Sequence, residues 1–251
     1  MPLRYRCNRS PRMPSLNGRL DDPVWLLAEW TEEFVDIEGD AKPKPRFLTR
    51  AKMLWDDDYF YIAADMEEPH VWATLTEHDS VIFHDNDFEV FIDPDGDAKR
   101  YFEFEINALN TTWDLYLPLA YRDGGSADNS WETHAITATH VRGTLNDPSD
   151  LDEGWAVEIA FPWECFRENG GMHCPPLPGD MWRVNFSRVA WDLDVNRVLV
   201  NGPQPLALDP QAAPSPYRKR PDTPEHNWVW SPQGVVDMHQ PESWGFVEFQ
   251  S

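Results

Sequence analysis

Apolar residues in this chain recur at every second position, in one run after another. Each run stops at a cluster of Asp, Gly, Pro or Asn. The clearest case is DFEVFIDPDGDAKRYFEFEIN, Asp87 to Asn107. Phe88, Val90 and Ile92 project to one side, and Asp87, Glu89, Phe91 and Asp93 to the other. Past the turn, Phe102, Phe104 and Ile106 alternate with Tyr101, Glu103, Glu105 and Asn107. Successive side chains of a strand point to opposite faces, so this segment reads as a hairpin with one apolar face and one crowded with carboxylates.

The same period runs through Phe47, Thr49, Ala51, Met53 and Trp55, then through YFYIAADM, WDLYLPLAY, THAITATHV, WAVEIAF (Trp155, Val157, Ile159 and Phe161 inward), MWRVNFSRVAW and WGFVEF. Turn clusters such as RDGGSADNS, LNDPSDLDEG and PPLPGD separate the runs. Many short strands at regular spacing, joined by polar turns, describe an all-β fold, an antiparallel β-sandwich. Two short helices are expected beside it. In DDPVWLLAEW, Asp22 suits the N-cap and Pro23 the first helical position; PWECFRENGG starts at Pro162 and stops at Gly170. The proline-rich segment Pro203–Asn227 reads as a long loop carrying the basic cluster RKR. Too little chain follows for another domain, and its strand-like end is expected to pair back, so residues 1–251 read as a single domain.

Charge narrows the partners. The chain has 251 residues, 44 of them acidic and 21 basic, for a formal net charge of −23. Nucleic acid is excluded as a partner because phosphate neutralisation needs Lys and Arg, and anionic membrane surfaces are disfavoured by the same repulsion. An acidic surface suits neutral or cationic partners, sugars and divalent metals included, and also serves solubility alone. No apolar run reaches the length of a membrane helix. The basic start MPLRYRCNRSPRMPSL lacks a hydrophobic core, so no signal peptide is visible and the reading by sequence is cytoplasmic. Cys7, Cys165 and Cys174 form no paired spacing; Cys165 with Cys174 is the nearest candidate disulfide, and an odd count fits a reducing compartment. Oligomeric state is not legible.

Thirteen tryptophans are many for this length. Trp25, Trp155, Trp182 and Trp244 fit core positions by pattern. Trp72, Trp113, Trp131, Trp191, Trp228 and Trp230 sit nearer strand ends and loops, where an aromatic ring can stack on the C–H face of a sugar or anchor a loop.

Catalytic and metal signatures are sparse. DPDGDAKRYFEFE spaces Asp93, Asp95 and Asp97 by two, but the glycine of an EF-hand loop comes too early and its twelfth residue is Phe104. A tight hairpin turn is the simpler reading, with calcium held at loops an open alternative. The histidines form no HExxH, and His173 beside Cys174 on an extended chain faces the other way. No nucleophile elbow, dinucleotide fingerprint or P-loop is present. A glycosidase pair among Asp87, Glu89, Glu103 and Glu105 is the serious enzymatic alternative, because same-face strand neighbours lie about 6.5–7 Å apart and can approach the separation of a retaining or an inverting pair. Solvated strand faces carry the same alternation.

LNGRLDDPVWLLAEW, AKMLWDDDYFYIAADMEEP, DNDFEVFIDPDGDAKRYFEFEIN, GWAVEIAFPWECF, PGDMWRVNFSRVAW and QPESWGFVEF occur in this order from about Leu16 to Phe249. Together they resemble family 9 carbohydrate-binding modules, with NFSR and the Asn of FEIN similar to divergent, stand-alone members. The resemblance implies an antiparallel β-sandwich that binds sugars without catalysis, accompanies polysaccharide breakdown, and is commonly supported by calcium. It places a clamping aromatic at Phe83, a second near Met238 and a sugar-binding carboxylate at Glu89. An expected arginine falls on Glu105 and an expected glutamine on Ser187, so the usual clamp of two tryptophans is not reproduced.

The expected saccharide site therefore draws on Asp87, Glu89, Glu105 and Asn107 as acceptors. Phe83, His84 or Trp191 supplies stacking, and Arg188 supplies donors. Arg188 shares parity with Trp182, Val184 and Phe186 and points inward unless a bulge intervenes. Three readings follow: a non-catalytic saccharide binder, a glycoside-processing enzyme using the carboxylates of the 87–107 hairpin, and an interaction module whose Pro203–Asn227 loop docks a protein.

Overall fold

Each alternating run forms a strand. The structure, a computed structural model, describes residues 2–167, 173–195 and 217–251. In chain order the strands are β1 (Arg4–Arg9), β2 (Val35–Asp36), β3 (Thr49–Trp55), β4 (Tyr59–Glu67), β5 (Asp87–Asp93), β6 (Tyr101–Asn107), β7 (Thr112–Leu117), β8 (Ile136–Arg142), β9 (Gly154–Pro162), β10 (Met181–Ala190), β11 (Leu193–Val195), β12 (Tyr217–Lys219), β13 (His226–Val229) and β14 (Gly245–Phe249). An α-helical turn, α1, spans Glu164–Arg167.

Two sheets face each other. One runs β7-β6-β5-β10-β14-β1, with β13 beside β10 and β2 beside β13; the other runs β1-β3-β4-β9-β8. β1 belongs to both: Arg4–Cys7 lie parallel to Phe246–Phe249, and Asn8 and Arg9 continue parallel to Leu54 and Trp55. The other pairings of the two sheets are antiparallel. The apolar parity predicted for the hairpin is the parity observed. Phe88, Val90, Ile92, Phe102, Phe104 and Ile106 pack between the sheets with Met53, Ile62, Val157 and Ile159. Trp25, Trp155, Trp182 and Trp244 are all buried.

Both outer faces are partly covered as well. Over β3, β4 and β9 lies a 3-10 helix, Pro23–Leu27, whose N-cap Asp22 accepts from the Val24 amide. The preceding Asn17-Gly18 turn is tied down by Glu158 on β9, which accepts from the Asn17 and Gly18 amides and the Trp25 indole at 2.6–2.8 Å. Gly18 has φ +75°, and a Cβ there would lie 2.4 Å from the Thr139 carbonyl carbon, so only glycine fits. Over β5, β6 and β7 a second apolar cluster joins Phe91, Tyr101 and Leu115 to Met238 and Trp244.

Several expectations change. The basic start of the chain forms a strand that the pattern reading did not include: Tyr5 and Cys7 are buried and make β1 part of the frame. Pro162 ends β9, and the helix begins at Glu164; its predicted stop at Gly170 lies outside the described residues. Of the long loop Pro203–Asn227, residues 203–216 lie outside the described residues, while Tyr217–Lys219 pair with β11 and Asn227 lies in β13. Cys7, Cys165 and Cys174 are free thiols, so Cys165 and Cys174 form no disulfide. The Cys174 thiol donates instead to the Trp163 carbonyl at 3.0 Å.

Candidate functional site

Register builds the site. β5 lies between β10 and β6, and β6 lies between β5 and β7, so one row across the sheet reads Ser187, Glu89, Glu105, Trp113. The neighbouring row reads Asn185, Phe91, Glu103, Leu115. With strands about 4.8 Å apart, each row spans roughly 14 Å, and both turn their side chains away from the sandwich interior. The sequence pattern leaves a solvated face as the alternative to a ligand platform here. The structure removes that alternative: Asp87 and Glu105 are 0% and 1% exposed, and Glu89 and Glu103 5% each.

The burial comes from segments distant in the chain. Phe83, Tyr121, Glu225 and the stretch Val236–His239 rise around the two rows and leave a cleft of about 340 Å³. The Phe83 amide donates to Glu105 Oε2 at 2.9 Å, its ring lies 6.3 Å from that of Trp113, and the Trp191 indole donates to its carbonyl at 2.9 Å. On the opposite wall, Tyr121 meets His239 edge to face at 4.5 Å. The Tyr101 hydroxyl lies 3.0 Å from His239 Nδ1, and the Trp244 indole donates to the Met238 carbonyl at 2.9 Å.

Electrostatics follow from that geometry. Burial, aided by neighbouring negative charges, pushes the carboxyls of Asp87, Glu103 and Glu105 well above their ordinary values. Burial pushes Glu89 from 4.5 to about 7, opposed in part by the Ser187 hydroxyl. Burial also lowers His239 to about 4, which leaves it neutral. Among the described residues, Asp87 Oδ2, Glu89 Oε2 and Glu103 Oε2 are buried without a hydrogen-bond donor. No Lys or Arg lines the cleft among the described residues.

The expected site residues separate into three groups. Phe83, Glu89 and Glu105 line the cleft, as does Met238. Asp87 lies beside them, its Oδ1 accepting from the Val189 amide at 3.3 Å, and His84 and Trp191 stand behind Phe83. Asn107 and Arg188 are elsewhere. The Asn107 side chain donates to the Leu75 carbonyl and Asp85 and accepts from the Leu109 and Thr111 amides, pinning the turn after β6. Arg188 points into the sandwich, as its parity required, and pairs with Glu68 at 2.6 Å and Thr49 at 2.9 Å. It reaches none of the four hairpin carboxylates. Trp72, Trp228 and Trp230 are buried, whereas Trp113 lines the cleft. Trp113 was readable, since it continues the alternation on β7. Tyr121 opens a short 3-10 turn and His239 lies in a loop, and neither leaves a local signal.

Among the described residues, three groups of side chains bring ligand atoms within 4.8 Å of one another. In the DPDGD turn, Asp93 accepts from the Gly96 and Ala98 amides, and Asp95 and Asp97 pair with Arg100, so the turn is closed by its own groups. His78, Asp79 and Glu132 are more exposed, with His78 also bonded to Thr112. Asp87, Glu89 and Glu105 are buried, with an unpartnered oxygen on each of Asp87 and Glu89 among the described residues, and this all-oxygen set fits a hard cation such as calcium.

A family model described as "Carbohydrate family 9 binding domain-like" matches residues 16–175. Endo-1,4-beta-xylanase A of Thermoanaerobacterium saccharolyticum is 24% identical over 75% of this chain, and Exoglucanase XynX of Acetivibrio thermocellus is 26% identical over 75%. The match spans only 13% and 14% of those proteins. A family 9 carbohydrate-binding module from Caldicellulosiruptor kristjanssonii, solved with cellotriose and with glucose, superposes with TM-scores of 0.57 and 0.58 at 14% and 15% identity. These superpositions cover 98–99% of this chain and 94–96% of the other. A Bacteroides uniformis structure superposes over the whole of both chains with a TM-score of 0.67 at 15% identity.

Proposed function

The chain belongs to the carbohydrate family 9 binding domain-like family, and from that premise we propose that it is a single folded unit that binds a saccharide, without cleaving it, in the cleft over β5 and β6. One observation carries the placement: Phe83, Glu89, Glu105 and Met238, drawn from three separate segments, line the same cleft. Carboxylates accept hydrogen bonds from sugar hydroxyls, and the rings of Phe83, Trp113 and Tyr121 offer apolar walls to a pyranose face. Work alongside polysaccharide-degrading enzymes is the context we infer from the xylanase and exoglucanase relatives. A calcium ion would be held by Asp87, Glu89 and Glu105, where it would offset their charge.

A hydrolytic reading draws on one feature, the direct cross-strand pairing of Glu89 with Glu105. Glycoside cleavage needs two carboxyls in contrasting environments, one kept protonated and one kept ionised. Here burial raises both, together with their neighbours, and no cation in the described lining holds either one ionised. The interaction-module reading rests on a segment mostly outside the described residues.

Isothermal titration with glucose, cellotriose and xylo-oligosaccharides tests the proposal. Binding to the native chain, at least tenfold weaker for the Glu89→Gln/Glu105→Gln variant, with no reducing sugar released over a day, is the expected outcome. Release of sugar that stops in either single variant would refute it, as would full-strength binding by the double variant.

A further inference from the structure

Among the described residues, buried carboxylates and aromatic rings line the cleft and no Lys or Arg does, and this combination selects among saccharides. Glu89, Glu103 and Glu105 form its floor, with Glu225 and Asp237 on its walls. Glu89 and Glu103, each 5% exposed, line it with oxygens that have no donor among the described residues. Two cations stand outside the cleft lining: Lys219 Nζ sits 3.4 Å from the Trp191 ring centroid, where Asp85, Glu225 and Asp87 attract it, and Arg122 pairs with Glu242 at 2.6 Å. His239 faces the cleft from the opposite wall as a neutral ring hydrogen-bonded to Tyr101.

Resting on the reading of this cleft as a saccharide site, we propose that its preferred ligand is a cationic sugar, a 2-amino-2-deoxyhexose with a free ammonium group, alone or at the end of a β-linked oligomer.

Three features fit that chemistry together. An ammonium carries three donors and one positive charge, matched to a floor of three carboxyls that have spare acceptor capacity. Phe83, Trp113 and Tyr121 add ring faces and edges, which attract an organic cation and cover the apolar face of its pyranose. A neutral sugar can donate hydroxyl hydrogen bonds to these oxygens but brings no charge to them, so it gains less from this floor than an ammonium does. A bare divalent ion fits the carboxylates, yet it gains nothing from the aromatic walls. The volume, about 340 Å³, suits one or two sugar units.

The test uses the full chain in buffer containing EDTA at pH 7. Affinities are measured by titration calorimetry for glucosamine and its β-1,4-linked trimer, for the N-acetylated counterparts, and for glucose and cellotriose. The free-amine ligands are expected to bind at least tenfold more tightly than either neutral set. In Glu89→Gln and Glu103→Gln that preference shrinks towards unity, with thermal unfolding run alongside to confirm that the variants fold. The preference itself is read on the unaltered chain, so a variant that misfolds leaves the test intact. Equal or tighter binding of the neutral glucans overturns the amine proposal and keeps the saccharide site. Calcium binding at the cluster with no amine preference overturns it as well. Failure of every sugar to bind overturns both readings.

Discussion

Replacing Glu89 with glutamine should make the protein more stable above neutrality while weakening its binding. The Glu89 carboxyl is desolvated on the cleft floor, and its folded pKa of about 7 lies above the ordinary 4.5. A carboxyl raised in this way favours folding fully below its unfolded pKa, and that contribution is lost as pH rises through the folded value. The loss therefore falls between about pH 4.5 and 7. At about 1.4 kcal/mol per pH unit, the gap amounts to roughly 3 kcal/mol as an upper figure. Asp87, Glu103 and Glu105 titrate with Glu89 as a set, so removing one charge relieves the others too. Glutamine keeps the shape, cannot ionise, and can donate to Glu105 directly opposite. In EDTA at pH 8, Glu89→Gln should unfold roughly 6–12 °C higher than the native chain, by the usual conversion for a domain of this size. At pH 4 the two curves should meet. Thermal and urea unfolding across pH 4 to 9 measures both. A gap that is absent at pH 8, or equal at pH 4 and pH 8, would refute the desolvated-carboxylate argument.

Arg188→Ala should cost roughly 3–5 kcal/mol in urea unfolding because it strands buried Glu68, and it should leave saccharide affinity of the folded fraction unchanged. Lost affinity without lost stability would place Arg188 in the site after all. Phe83→Ala removes one wall of the cleft and should weaken sugar binding by about 2- to 12-fold, read by calorimetry, as expected for roughly 0.5–1.5 kcal/mol of aromatic contact. Gly245→Ala drives a methyl to within 2.5 Å of the Trp230 ring and should destabilise by roughly 1–3 kcal/mol, seen as a lower thermal midpoint with binding intact.

Local alternation was enough to reveal β5, β6, β9 and β10 and the inward aim of Arg188, because parity is a property of neighbouring residues. It could not reveal that the carboxylate face is dry. That depends on Phe83, Tyr121 and Met238, which meet over β5 and β6 only after the sandwich has closed. The partner of Arg188 was hidden for the same reason: Glu68 lies 120 positions away in sequence. β1 shows a different failure. Its alternation, Tyr5 and Cys7 inward between arginines, was present but read as a basic terminus because the charged positions are the conspicuous ones.

The double membership of β1 sets the order in which the molecule can be completed. Its first half needs Phe246–Phe249 as a partner and its second half needs Trp55, so the seam between the layers joins segments at opposite extremes of the described chain. Closing a contact over so long a span is slow and gains nothing until it is made. During synthesis the β3–β4–β9–β8 layer can assemble early, but its edge at β3 stays only partly covered until β14 emerges and holds β1 in place. A nascent chain stalled before β14 would carry an open strand edge, the kind of surface that chaperones engage and that pairs with other chains.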